Sequence, residues 1–99
     1  MSGNYFVYIT TNPRKSVLYV GFTNDLRTRM IQHYENRGKQ GSFAGKYYCY
    51  NLIYFERFPY PVIGIEREKE IKLLTRKNKE ALINKVNPTW RFYDWSGLE

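Results

Sequence analysis

The run Leu18-Tyr19-Val20-Gly21 is a short β segment that stops at a residue without a side chain, and a helix start, Thr23-Asn24-Asp25-Leu26, follows at once. A strand that gives way to a helix within a few residues fixes both elements at one junction. Thr23 or Asn24 suits the helix cap, and Asp25 suits the positive end of the helix dipole. Leu26, Met30 and Tyr34 recur every fourth residue as an inward stripe, with Asp25, Arg29 and His33 as a second stripe beside it. Arg29 and His33, the only histidine, therefore project from one face near the strand end. Lacking a Cβ, Gly21 is expected to let a ligand or a phosphate backbone approach.

The flanking sequence predicts an α+β domain. Residues 5–10, YFVYIT, and 17–22, VLYVGF, read as strands joined by the polar, Asn-Pro-containing turn at 11–16. NRGKQGSFAGK at 36–46 has three glycines and three basic residues, including Lys46, and reads as a mobile loop. Residues 50–58 predict a third strand, stopped by Pro59 and Pro61. A helix follows from about Pro61 over 62–75, and another runs from 76 to Asn87-Pro88. The expected order is β-β-α-β-α-α: a small, three-stranded, mainly antiparallel sheet flanked by helices. Ninety-nine residues suffice for one domain over 1–99, with a core at about 4–90. The tail at 91–99 is expected to dock, since Trp90, Phe92 and Trp95 left exposed would make an adhesive patch.

Sixteen Lys and Arg against nine Asp and Glu give a net charge of +7, which points to a polyanionic partner. Ten tyrosines suit half-buried strands and nucleotide stacking alike. A single cysteine, Cys49, forms no intrachain disulfide and fits a reducing cytoplasm, where it reads as a core filler. The ligands for a structural zinc site are lacking. No signal peptide and no membrane-length apolar run are read, so the expected localisation is cytoplasmic.

Phe6-Val7-Tyr8, then Tyr19-Val20-Gly21 with Tyr19 eleven residues beyond Tyr8, then Thr23, Asp25-Leu26, Arg29 and His33, resemble the GIY-YIG nuclease superfamily. Within it the chain resembles the short stand-alone bacterial members of the UPF0213/YhbQ-like, excinuclease-C-like type. Arg67-Glu68-Lys69-Glu70-Ile71-Lys72 and Asn87-Pro88-Thr89-Trp90 add to the likeness. The resemblance implies a metal-dependent endonuclease that cleaves nucleic-acid phosphodiesters, most simply DNA, with Mg²⁺ or Mn²⁺, in repair or processing. It implies that Tyr8 and Tyr19 frame the site on paired strands, and that Tyr19 acts as general base or orients the attacking water. Arg29 would hold the scissile phosphate, Glu68 would bind the metal, His33 would join in proton transfer, and Asn87 would lie near the site. An arginine's planar fork suits a phosphate, and one carboxylate suffices for Mg²⁺ when substrate and water complete its shell. Phe6 replaces the first glycine of the signature, and Phe22 stands where some repair members carry lysine.

Other readings of the same residues stay open. The tyrosines also suit cross-strand core positions, and Arg29 a solvated helix face. Glu68 also suits a surface pair with Lys72, although its place between Ile65 and Ile71 argues for shelter. Arg27, Lys46, Lys72 and Arg76 are candidates for phosphate contact, the last two within a basic series that includes Lys69, Lys77, Lys79 and Lys85. A nucleic-acid-binding module without catalysis, or an RNA-binding protein, would share the charge and the aromatics.

Overall fold

The computed structural model describes residues 3–97; positions 1–2 and 98–99, on which the reading of the N-terminus and of the end of the tail falls, lie outside the described residues. Strand β1 (Tyr5–Thr11) is the middle of a three-stranded antiparallel sheet, between β2 (Leu18–Thr23) and β3 (Asn51–Phe58). Its alternating side chains feed two cores. Val7 and Ile9 pack with Val20, Ile53 and Tyr54 beneath α3 (Pro61–Leu73) and α4 (Arg76–Val86), which contribute Ile71 and Ile83. Phe6 and Tyr8 pack with Leu52 beneath α1 (Leu26–Glu35), which contributes Leu26 and Met30. Coverage of both faces explains why every residue from Phe6 to Thr11 is buried.

The hairpin turn spans 12–17. Asn12 Oδ1 accepts from the Ser16 and Val17 amides at 2.8 and 2.9 Å, so the side chain holds the two strands in register. Asp25, rather than Thr23 or Asn24, caps α1: its carboxylate accepts from Thr28 N at 3.0 Å and from Thr28 Oγ1 at 2.8 Å. Thr23 Oγ1 instead accepts from the Asp25 amide at 3.0 Å and braces the cap. Tyr34 departs from the inward stripe and is 47% exposed. At roughly 100° per residue, fourth-residue spacing drifts by about 40° at each step, which carries Tyr34 off the core that Leu26 and Met30 occupy.

The segment read as a mobile loop holds a further short helix, α2 (Phe43–Lys46), whose Ser42 cap accepts from the Gly45 amide at 3.1 Å. Gly45 is buried, and a Cβ there would lie 2.7 Å from the carbonyl oxygens of both Asn36 and Lys39. This glycine brings α2 against the end of α1. The element order is thus β-β-α-α-β-α-α, with a 3₁₀ turn at Trp95–Gly97.

Helix α3 begins with Pro61 in its first turn and ends before Thr75, whose hydroxyl caps α4 by accepting from Asn78 N at 3.1 Å. Arg67 of α3 donates to both oxygens of Glu56 on β3, at 2.9 and 3.0 Å, and Tyr54 donates its hydroxyl to the same carboxylate. Burial pushes the Glu56 carboxyl up, but the hydrogen bonds from Arg67 and Tyr54 outweigh it and hold the group below the usual carboxylate range. Beyond α4, the Tyr93 amide donates to the Leu52 carbonyl at 2.8 Å, its ring meets Phe55 edge-on, and Trp95 packs against the Phe6–Tyr8 core. Buried Cys49 has its thiol pushed up to about 11 by desolvation. Among the described residues, no helix is long and apolar enough to cross a membrane.

Asn87 joins α4, β3 and the tail. Its amide nitrogen donates to the Ile53 and Arg91 carbonyls, both at 2.9 Å, and its amide oxygen accepts from Arg91 N at 3.1 Å. Asn87→Ala strands these three backbone groups and is expected to cost about 2–3 kcal/mol of unfolding free energy, read by urea denaturation. A loss within about 0.5 kcal/mol would show that the clamp is dispensable.

Candidate active site

Tyr8 on β1 faces Gly21 on β2, residue against residue across the antiparallel ladder. A Cβ at position 21 would collide with Tyr8 Oη and Cζ, and would lie 2.9 Å from Cε2. The close approach expected at Gly21 is therefore made by the Tyr8 ring and not by a phosphate. The ring lies in the space the glycine leaves, and its hydroxyl reaches His33 Nε2 at 2.8 Å. Tyr19, next along the same face of β2, sits 6.3 Å from Tyr8 and 5.4 Å from His33 between ring centroids. Three rings from three elements, β1, β2 and α1, thus form one cluster.

A cleft of about 170 Å³ opens over this cluster, lined by Tyr19, Arg29, Gln32, His33, Asn36, Ser42 and Ala44. Tyr8, bonded to His33, does not line the cleft and is itself fully buried. Burial pushes the Tyr8 phenol far above its ordinary range, Tyr19 adds to the effect, Arg29 pulls against it, and Glu68 adds a smaller push. Burial, reinforced by the Arg29 charge, lowers His33 to about 4. At neutral pH the pair is a protonated phenol and a neutral imidazole; with the imidazole proton on Nδ1, the hydroxyl donates to Nε2.

Glu68 comes from α3 and is not among the residues that line the cleft. Its side chain is 20% exposed and its Oε2 lies 3.4 Å from Lys72 Nζ, so the surface-pair reading and the sheltered reading are both met. No group of three or more His, Cys, Asp or Glu residues that could hold a metal occurs among the described residues. A single sheltered carboxylate fits a magnesium ion whose remaining ligands are phosphate oxygens and water.

The other candidates lie elsewhere. Asn87 is buried in the clamp between α4, β3 and the tail, with its amide groups engaged. Arg76 pairs with Glu80 at 2.8 Å and donates to the Ser16 carbonyl at 2.8 Å, tying α4 to the hairpin turn. Arg27 is exposed on α1, and the Lys46 ammonium lies 5.4 Å over the Tyr47 ring. Gln32, Asn36, Ser42, Ala44 and the Phe43 ring stacked on Tyr19 escaped the sequence reading. The one signal for the last three was a serine followed by a residue run able to make a helical turn. A larger concavity, about 560 Å³ and lined by Phe55, Arg91, Phe92, Tyr93 and Asp94, holds none of the predicted residues. The smaller cleft is the candidate site because guanidinium, imidazole and phenol converge there.

Residues 4–81 match the GIY-YIG catalytic domain family. The chain is 33% identical to a UPF0213 protein of Haloquadratum walsbyi, over 83% of this chain and 89% of that one. It is 34% identical to the UPF0213 protein YazA of Bacillus subtilis, over 83% and 80%. The solution NMR structure of a UPF0213 protein from Bacillus halodurans superposes with a TM-score of 0.56 at 28% identity, covering 88% of this chain and 89% of that one. The chain belongs to the GIY-YIG family, a nuclease family, and within it to the UPF0213 proteins, whose relatives here include an archaeal sequence as well as bacterial ones.

Two outcomes follow from the cluster. Gly21→Ala is expected to destabilise the fold by about 1–3 kcal/mol through overpacking against Tyr8, and by less when combined with Tyr8→Leu, as a double-mutant cycle in urea would measure. His33 is neutral in the folded chain down to about pH 4, whereas an unfolded histidine protonates near 6.5. Stability associated with His33 is therefore complete above about pH 6.5 and is lost as the pH falls towards 4, by on the order of 1–2 kcal/mol once its partial exposure is allowed for. Denaturation at pH 7 and 4.5 should show a smaller acid loss in His33→Gln than in the parent; equal losses would remove His33 as the cause.

Proposed function

We propose that this GIY-YIG protein is a metal-dependent endonuclease that hydrolyses phosphodiester bonds of DNA, acting in repair or processing on branched or damaged structures. The observation that carries the reading is the convergence of Tyr19, Arg29 and His33 in one cleft over buried Tyr8, with Glu68 on the adjoining helix. Arg29 would bind the scissile phosphate through two parallel hydrogen bonds and offset the charge that builds in the transition state. Tyr19 lines the cleft and would orient the attacking water. Tyr8, buried and protonated, is a positioning residue that acts through its bond to His33. His33, neutral at pH 7, would share in moving the water's proton. Glu68 would hold Mg²⁺ or Mn²⁺, which when bound supplies Lewis-acid stabilisation to the phosphate. Arg27 and Lys46 would contact neighbouring phosphates.

The competing reading, a nucleic-acid-binding module without catalysis, draws on the net charge of +7. Purified protein is to be incubated with supercoiled plasmid and with branched DNA, in Mg²⁺, Mn²⁺ or EDTA, beside Arg29→Ala and Glu68→Ala. The expected result is nicking that EDTA abolishes and that falls by about 100-fold or more in each variant. Retention on DNA without cleavage, equal in all three proteins, would establish the binding module instead.

A further inference from the structure

We infer that Phe43 and Tyr47, on the rim of the cleft, form a stacking platform for unpaired nucleobases, so that the substrate is single-stranded or locally unpaired nucleic acid. This rests on the reading of the cleft as a phosphodiesterase site and names the substrate class for it.

The platform is a column of rings that starts at the catalytic cluster and runs outward. Tyr19 stacks on Phe43 with centroids 6.3 Å apart and planes 25° from parallel. Phe43 in turn meets Tyr47 at 4.7 Å, tilted by 50°. The outer two rings are open: Phe43 is 51% exposed and Tyr47 is 40% exposed. The short helix that carries Phe43 and ends at the Tyr47 cap contributes little to the core, burying only Ala44 and Gly45. Those two small residues let its backbone press against the end of α1, and the Gly45 contact with the Asn36 and Lys39 carbonyls sets that distance. The result of the packing is to hold Phe43 over Tyr19.

Charge completes the match to a nucleic-acid strand. Lys46 lies 5.4 Å over Tyr47, and Lys39 belongs to the turn on which α2 rests. Nearby, Arg37 covers the Tyr34 ring at 3.8 Å. Cations beside exposed ring faces, continuous with a cleft that presents Arg29, suit a backbone with its bases turned towards the protein. Bases in a duplex are already stacked and offer only their edges in the grooves, so ring faces of this kind find partners only where bases are unpaired.

The test measures binding in EDTA of a short single strand carrying one fluorescent purine analogue, and of its duplex, by the full chain and by Phe43→Ala, Tyr47→Ala and Phe43→Trp. Tyr47 pairs with Phe43 and lies one ring beyond it in the column, so it probes the outer end of the platform, and thermal melts establish that each variant folds. The full chain is expected to prefer the single strand and to quench the analogue. Phe43→Ala and Tyr47→Ala should each weaken single-strand binding by about tenfold, abolish the quench and leave duplex binding within about twofold, while Phe43→Trp restores both signals. Unchanged single-strand binding in both alanine variants, or equal losses on strand and duplex, overturns the inference. Cleavage that depends on Glu68 together with unaffected strand binding would remove the platform and keep the nuclease. Strand binding governed by Phe43 and Tyr47 in a protein that cleaves nothing would do the reverse.

Discussion

The Tyr8 ring occupying the space left by Gly21 is the contact from which the rest of the site is built. Tyr8 lies on the central strand, buried on every side, and has little freedom to relocate. Its ring needs the missing Cβ of the facing residue, and its hydroxyl then points at His33. A slip of one residue between β1 and β2 would turn Tyr8 away from α1 and set it against Val20 or Phe22. Register is held from the far end by Asn12, whose side chain closes the hairpin turn. The geometry of the cleft is thus decided as much in that turn as in the cleft itself.

The sheet divides its labour by face. One face carries the ring cluster and α1; the other carries α3, from which Glu68 would have to reach the cleft on the proposed reading. The Arg67–Glu56 pair, adjacent in sequence to Glu68, fixes the helix to β3 with two hydrogen bonds to a largely desolvated carboxylate. Such a pair is costly to break because the remaining charge would be left unpaired. Several cations on α3 and α4 are likewise engaged within the molecule: Lys72 with Glu68, and Arg76 with Glu80 and the hairpin turn. Exposed rings with cations over them occur at Tyr34 near the end of α1 and at Tyr47 on the segment between α1 and β3, and also at Phe92 of the tail, under Lys15 of the hairpin turn.

Much of this was legible in the residues. The strands declared themselves through β-branched and aromatic runs, the start of α3 through its proline, and the convergence of Arg29 and His33 through fourth-residue spacing. The segment 36–46 was misread because glycine has two uses that look alike in a sequence. Gly38 adopts a left-handed backbone, as a loop glycine does, whereas Gly45 is a packing glycine inside a helical turn. Only the tertiary contact with two α1-side carbonyls separates them. Gly21, read as the residue at which the strand stops, lies inside β2, which runs on to Thr23, and its space is filled by Tyr8: what fills the space beside a glycine depends on a partner thirteen residues away. Asn87 was placed near the site by the family resemblance alone, but its buried amide binds backbone on three sides, a role that no local pattern reveals.

The size of the cleft bears on what it can enclose. Pockets that engulf a small organic ligand run to roughly 300 Å³ or more, and a cleft of about 170 Å³ falls short of that. It has room for a phosphate group and a few waters, groups matched by a guanidinium, an imidazole and a phenol. A polymer acted on there would have to leave its bases and sugars outside, where recognition falls to the surface around the rim. That surface is Phe43, Tyr47 and the lysines near them, on and beside a short helix that Ala44 and Gly45 are small enough to seat. On the proposed reading, chemistry and recognition would fall to different parts of the chain: the sheet register would set the first, and the packing of α2 on α1 the second.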